Sequence, residues 1–233
     1  MWKKIFGLLK KDTLCDEAFA ASLDMLRQCE QMFADSVASL RTVGALQEDI
    51  YARDRAVNRF ERLVRRNIVT HLAVSTNPDV NTALILTAIV IDIERIGDYT
   101  KNIVELAAAH HGVFQGGELD GDIREIEETV RSMFARIPGT LEPSDVSQAR
   151  QIIGDHLLVA ERVEEGLQDL IAGRALAGQS GDAVVAALYL RYLKRVSAHL
   201  KNVATSVVNP YYRIGFREKQ PDGGPPVPVP ADE

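Results

Sequence analysis

From residue 13 to residue 110 apolar side chains recur every three or four positions, with no strand-like alternation and few glycines or prolines to interrupt them. One face of a helix returns every 3.6 residues and one face of a strand every second residue, so the pattern is helical. The first stripe, Phe19, Leu23, Leu26, Phe33, Val37 and Leu40, ends at Gly44, and Asp12 or Thr13 can cap its start. A second, from about Ala45 to Val74, carries Ile50, Val57, Phe60, Leu63, Ile68 and Leu72. Asn77-Pro78-Asp79 then reads as an N-cap, a proline at the first helical position and an acid in the first turn. The third helix runs from there to about His110, where Gly112, Gly116 and Gly117 end it. A fourth spans about Asp120 to Arg136 and kinks or stops at Pro138-Gly139. A fifth spans about Ser144 to Ala172, ending at Gly173, and a sixth runs from near Gly181-Asp182 to Asn209-Pro210. Helices joined by short breaks run up, down and up to bury their stripes, so the expected fold is all-α: two tandem antiparallel three-helix bundles built from six long helices.

A shift of 100 positions lays Arg95 on Arg195, Ile96 on Val196, Lys101 on Lys201, Asn102 on Asn202 and Ile103 on Val203. Such a match suggests an internal duplication of a three-helix unit. The second copy keeps the packing residues and loses two carboxylates, because Glu94 falls on Lys194 and Asp98 on Ala198. His199 and Tyr192 stand nearby, and a lone histidine beside a lysine and an alanine reads as structural. The expected organisation is a basic amphipathic segment over residues 1–12, a first bundle over 13–112, a second over 118–210 and a Pro-rich tail over 217–233. The composition of that tail provides no means of packing a core.

The chemistry concentrates in Ile91–Ile103. Glu94, Asp98 and Asn102 stand at i, i+4 and i+8, so their oxygens stack along one helix face. Like charges at i, i+4 cost an isolated helix about 0.2–0.5 kcal/mol, and Gly97 between them costs about 1 kcal/mol relative to alanine. Two readings offset this cost: a bound hard cation, or neutralisation by Arg95 and Lys101 on a solvated face. In the second helix Glu48, Asp49, Asp54 and Asn58 are candidate partners, and Asp54 with Asn58 repeats the i, i+4 oxygen spacing. If the two helices pack with these positions level, the donors converge on a site suited to Mg, Mn, Ca or iron better than to zinc in a sulfur site.

The string Asp92-x-Glu94-Arg95-Ile96-Gly97-Asp98-x-x-x-Asn102-Ile103 resembles the signature of the PhoU family, regulators of bacterial phosphate uptake. The resemblance extends over about residues 14–208 and is strongest at this motif. It implies a cytoplasmic protein of two similar three-helix bundles, whose E/D-xxx-D motifs hold metal, including multinuclear iron or zinc clusters. It also implies action by contact with a phosphate transporter subunit, a sensor histidine kinase or both, and a tendency towards dimers. Carried onto this chain, the metal ligands are Glu94, Asp98 and Asp54, with Asn58 departing from the acidic pattern; Asp92 and Glu48 are weaker candidates. The implied cofactor is one or more divalent or ferric ions, drawn from Mg, Mn, Fe or Zn.

Composition narrows the field. A net charge of -6 and a pI near 5.5 argue against nucleic acid, whose phosphates require a basic face. Cys15 and Cys29 lie about 21 Å apart along one helix, beyond disulfide reach, and read as reduced packing residues. No segment reaches the roughly 20 apolar residues of a membrane span, and the N-terminus is no convincing secretion signal. Trp2, Ile5, Phe6 and Leu9 form a stripe beside Lys3, Lys4, Lys10 and Lys11. That segment suits an anionic membrane surface, its own bundle or a partner subunit, and Trp2, Lys3, Lys4 and Phe6 are its candidate contact residues. No glutamate has a histidine three residues on, and no HExxH, GxSxG or phosphate-cradling loop occurs. The expected function is a non-enzymatic, metal-binding regulator of phosphate uptake. Its rivals are a carboxylate-bridged metalloenzyme and a metal-free helical scaffold.

Overall fold

The computed structural model describes residues 13–42, 49–110, 112–142 and 144–218, so the basic N-terminal segment with Trp2, Lys3, Lys4 and Phe6, Glu48, and almost all of the Pro-rich tail lie outside the described residues. The long helices are α1 (Thr13–Arg41), α2 (Ile50–Val74), α3 (Val80–Ala109), α4 (Asp120–Leu141), α5 (Val146–Ile171) and α6 (Ser180–Val208). Short 3-10 turns follow at Gly117–Leu119 and Tyr211–Arg213, and no strand occurs among the described residues.

Helix starts follow side-chain capping more closely than the apolar stripes suggest. Asp49 is the N-cap of α2, its carboxylate accepting from the Tyr51 amide at 2.9 Å, so the helix opens later than the stripe from Ala45 implies. At α3 the cap is Asp79 rather than Asn77. Its carboxylate takes both the Thr82 amide (3.0 Å) and the Thr82 hydroxyl (2.7 Å), which leaves Pro78 outside the helix. Asp145 caps α5 through the Gln148 amide. Helix α4 does not stop at Pro138: it runs on to Leu141, and the Glu142 amide closes a turn on the Pro138 carbonyl.

Helices α1, α2 and α3 pack on one another, as do α4, α5 and α6; α3 lies against α6 and α1 against α4. The core is continuous, holding Met25, Met32, Phe33, Leu86, Ile89, Ile93 and Ile96 from the first group and Ile123, Met133, Ile137, Tyr189, Leu193 and Leu200 from the second. Phe33 meets Phe134 across the junction with ring centroids 5.4 Å apart. The α3–α6 contact repeats under the shift of 100. Asp92 meets His199 (2.7 Å) and Tyr99 meets Tyr192 (ring centroids 6.2 Å), each pair becoming the other when numbers move by 100. The two helices therefore cross antiparallel about a pseudo-twofold axis, with corresponding faces of the two units in contact.

One buried ion cluster ties the units at a second point. Arg41, at the end of α1, donates from Nη2 (2.9 Å) and Nε (3.1 Å) to Glu127 Oε1 and from Nη1 to Asp120, both on α4. Tyr189 of α6 donates its hydroxyl to the same Glu127 oxygen at 2.7 Å, and the Arg41 guanidinium lies 5.5 Å from the centroid of the Phe114 ring. Burial opposes the Asp120 charge, but hydrogen bonds from Arg41 and Arg124 outweigh it and hold that carboxyl below the usual range.

Candidate cation site between the second and third helices

The oxygens of α3 meet those of α2. Lys101 Nζ donates to Asp54 Oδ1 of α2 at 3.0 Å and to Asp98 Oδ1 of its own helix at 3.1 Å, so one ammonium bridges carboxylates from two helices. Asn58 Nδ2 donates to Asp54 Oδ2 at 3.3 Å, and Arg95 Nη1 to Asp98 Oδ2 at 3.1 Å. This is not a freely solvated face: side-chain exposure is 16% for Asp54, 18% for Glu94, 20% for Lys101 and 28% for Asp98. Glu94 lies 3.6 Å from Arg95 Nε. Burial raises its carboxyl above the ordinary value, reinforced by the charge of Asp98 and, beyond the opposing Arg95, by Glu61 and Asp54. The Lys101 ammonium is pulled down by burial, yet its hydrogen bonds to Asp54 and Asp98 win and hold it above the ordinary lysine value.

Local sequence explains the alignment. Gly97 gives α3 a bare stretch where a Cβ would stand 3.2 Å from Val57 Cγ1 and 3.7 Å from Cys29 Sγ, so α1 and α2 approach closely and bring Asp54 level with Asp98. Cys29 lies beneath, its thiol donating to the Ile93 carbonyl at 3.4 Å. Burial, with Glu94 and Asp54 nearby, pushes that thiol far up, so it stays protonated. Neither Cys15 nor Cys29 is in a disulfide.

Asp54, Asn58, Glu94 and Asp98 are thus brought to one place, and Arg95 and Lys101 neutralise part of them. Glu61 belongs to the same field, although its carboxylate pairs with Arg65 at 2.6 Å. Its place at i+7 from Asp54 and i+3 from Asn58 was the signal that could have found it. Asp92 is elsewhere: two residues before Glu94 is about 200° around a helix, and its Oδ1 accepts from Asn202 (2.8 Å) and bonds His199. Asp49 is occupied as the α2 cap.

The donor chemistry fits a hard, oxygen-ligated cation, since two carboxylates already converge on one positive centre in a field that resists further negative charge. Among the described residues no three His, Cys, Asp or Glu side chains form a ready-made metal cluster. Asp54 and Asp98 share the Lys101 ammonium, so any ion these two carboxylates were to hold would have to displace it.

The second unit departs from this chemistry. Ser197 stands where the first has Gly97, its Oγ 2.9 Å from His156 Nδ1. Burial, with Lys201, Lys194 and His199 nearby, pushes His156 down to about 4, leaving it neutral. Lys194 pairs with Glu164, and Lys201 donates to the Gly215 carbonyl at 2.8 Å. Among the described residues no carboxylate pair comparable to Asp54 and Asp98 bridges this lysine, which feels the charge of Asp92 alone.

Residues 23–107 match the family model described as the PhoU domain. No curated protein matches the chain significantly. Among solved structures, the chain is similar to the crystal structure of PhoU from Pseudomonas aeruginosa, with TM-score 0.71 and 21% identity over 84% of this chain and 96% of that one. It is also similar to the phosphate transport system regulatory protein PhoU from Streptococcus pneumoniae, with TM-score 0.70 and 14% identity over 83% and 93% of the two chains. The carboxylate face described above lies inside the matched segment, and the likeness of fold reaches across both units: residues 23–107 match the PhoU domain, and the chain as a whole has the fold of the PhoU crystal structures.

Proposed function

We propose that this protein regulates phosphate uptake by contact, as a cytoplasmic adaptor to a phosphate transporter subunit, a sensor histidine kinase or both. PhoU-domain proteins are regulators and not enzymes, and the Streptococcus pneumoniae relative is described as a regulatory protein of a phosphate transport system. The observation that carries the reading is the inter-helix carboxylate site within the PhoU domain, where Asp54 and Asp98 share one cation. No helix among the described residues is long and apolar enough to cross a membrane, which suits a protein that meets its partner at the membrane surface.

A divalent or ferric ion is the proposed cofactor. Asp54 and Asp98 would hold it, with Glu94 and the Asn58 amide oxygen adjacent, and it would supply a structural cross-link between α2 and α3. Asn58 in place of an acid lowers the negative charge on offer and favours few ions over a large cluster. The basic segment with Trp2, Lys3, Lys4 and Phe6 is the proposed peripheral membrane contact, and a homodimer is the proposed assembly. Deleting the gene tests the regulatory reading: phosphate uptake and phosphate-starvation reporters become deregulated, and unchanged reporters would overturn it. Elemental analysis of protein purified without chelator tests the cofactor, with metal present in the wild type and lost on Asp98→Ala.

A further inference from the structure

The position a metal would need is held by a side chain of the same helix. Lys101 Nζ lies 3.0 Å from Asp54 Oδ1 and 3.1 Å from Asp98 Oδ1, and it is mostly shielded from water. Two charge-assisted hydrogen bonds to partly buried carboxylates make it a resident cation rather than a passing surface contact. We propose that Lys101 is the affinity-determining residue of the site, an internal ammonium that competes with metal for Asp54 and Asp98 and must leave before an ion can bridge them. This rests on the reading of the site as a metal site.

The geometry also supplies an exit. Glu105 is the next carboxylate at i+4 from Lys101 and carries the Tyr51 hydroxyl at 3.1 Å, and Tyr51 stands in the first turn of α2 close enough for the Lys101 charge to be felt there. A lysine released from Asp54 swings one turn along its own helix face and meets Glu105. Charge sets the selectivity. A divalent ion replaces one positive charge by two between the same carboxylates, whereas a monovalent ion gains nothing over the ammonium it displaces. The corresponding lysine of the second unit, Lys201, donates to the Gly215 carbonyl and, among the described residues, feels the charge of Asp92 but is bridged to no carboxylate pair, so it has no such competition to run.

The experiment is calorimetric titration of the full chain with Mn²⁺ alone, in the wild type, Lys101→Met and Lys201→Met. Methionine keeps the length of the stem and removes the charge. Lys101→Met is expected to bind Mn²⁺ roughly tenfold to a hundredfold more tightly than the wild type, the worth of one or two charge-assisted hydrogen bonds no longer to be broken. Lys201→Met is expected to match the wild type. A wild type that binds no Mn²⁺ beside a Lys101→Met that does also supports the role of the lysine. Equal or weaker binding by Lys101→Met, with the wild type binding, overturns it and leaves the metal site standing. Binding by neither overturns the metal reading and the competition with it. Should Lys101→Met fold poorly, lysine ammonium NMR of the wild type during Mg²⁺ titration decides: the Lys101 resonance is expected to move while that of Lys201 stays, and a motionless Lys101 overturns the proposal.

Discussion

Replacing Arg41 by methionine removes the positive charge at the junction of the two units while keeping much of the stem that lies against Phe114. Arg41 and Glu127 are 11% and 9% exposed at their side chains, and the guanidinium makes two hydrogen bonds to one Glu127 oxygen and another to Asp120. Breaking one partner of a buried pair costs about 3–5 kcal/mol, because the other charge is left in a poor dielectric without compensation. Here Asp120 is 26% exposed and keeps Arg124, while Glu127 keeps only the Tyr189 hydroxyl among its described partners, so the cost falls to about 2–4 kcal/mol. For a chain of this length that is a fall in Tm of about 4–16 °C. Urea denaturation of Arg41→Met measures the loss. The paired variant Arg41→Met with Glu127→Gln apportions it, since glutamine still accepts from Tyr189 and carries no charge to strand. Recovery of more than half of the loss in the double variant is expected. An Arg41→Met protein as stable as the wild type, or a double variant as poor as the sum of the single ones, would refute the reasoning.

Two further outcomes follow from the site. Glu94 has its carboxyl raised by burial and by neighbouring negative charge, so the folded state holds that proton more tightly than the unfolded chain does. The contribution of Glu94 to stability is therefore most favourable below the ordinary glutamate range and is lost as pH rises from there through its raised value; in metal-free protein Glu94→Gln should gain over the wild type at about pH 7 and lose that advantage at about pH 4. Denaturation curves at the two pH values check this, and a Glu94→Gln protein less stable at neutral pH would contradict it. At Gly97 an added Cβ meets Val57 Cγ1 at 3.2 Å, so the helix gain of about 1 kcal/mol from Gly97→Ala is largely cancelled and that variant is near neutral. Gly97→Val overpacks the same contact and should cost about 1–3 kcal/mol, which thermal unfolding measures.

The helices were legible because each buries a continuous stripe, and a stripe of period 3.6 survives in sequence whatever packs against it. Their ends were less so. Asn77 and Asp79 are both good caps, and Pro78 between them favours the first; what decides is the reach of Asp79 to the amide and hydroxyl of Thr82, a contact that depends on the residue three positions on. The carboxylate face was visible in the i, i+4 spacing of Asp54 with Asn58 and of Glu94 with Asp98, since a helix places those oxygens together before any tertiary contact forms. Arg95 and Lys101 were legible as neutralising charges, but that Lys101 is the one bridging the two helices was not, because at i+3 from Asp98 it reaches equally well to solvent until α2 closes on it. The Arg41 cluster left no local trace: its partners lie about eighty residues away and are joined only when α1 meets α4. Asp92 belongs to the α3–α6 contact, which requires knowing which faces of the two units meet.

The account turns on the link between the cation-bridged site and phosphate regulation. The direct measurement is a phosphate-starvation reporter in cells whose only copy of the gene carries Asp54→Ala with Asp98→Ala, with the variant shown to be folded by its thermal unfolding. The account predicts that the reporter is deregulated as it is in the deletion strain, and a folded variant that restores wild-type control would contradict it.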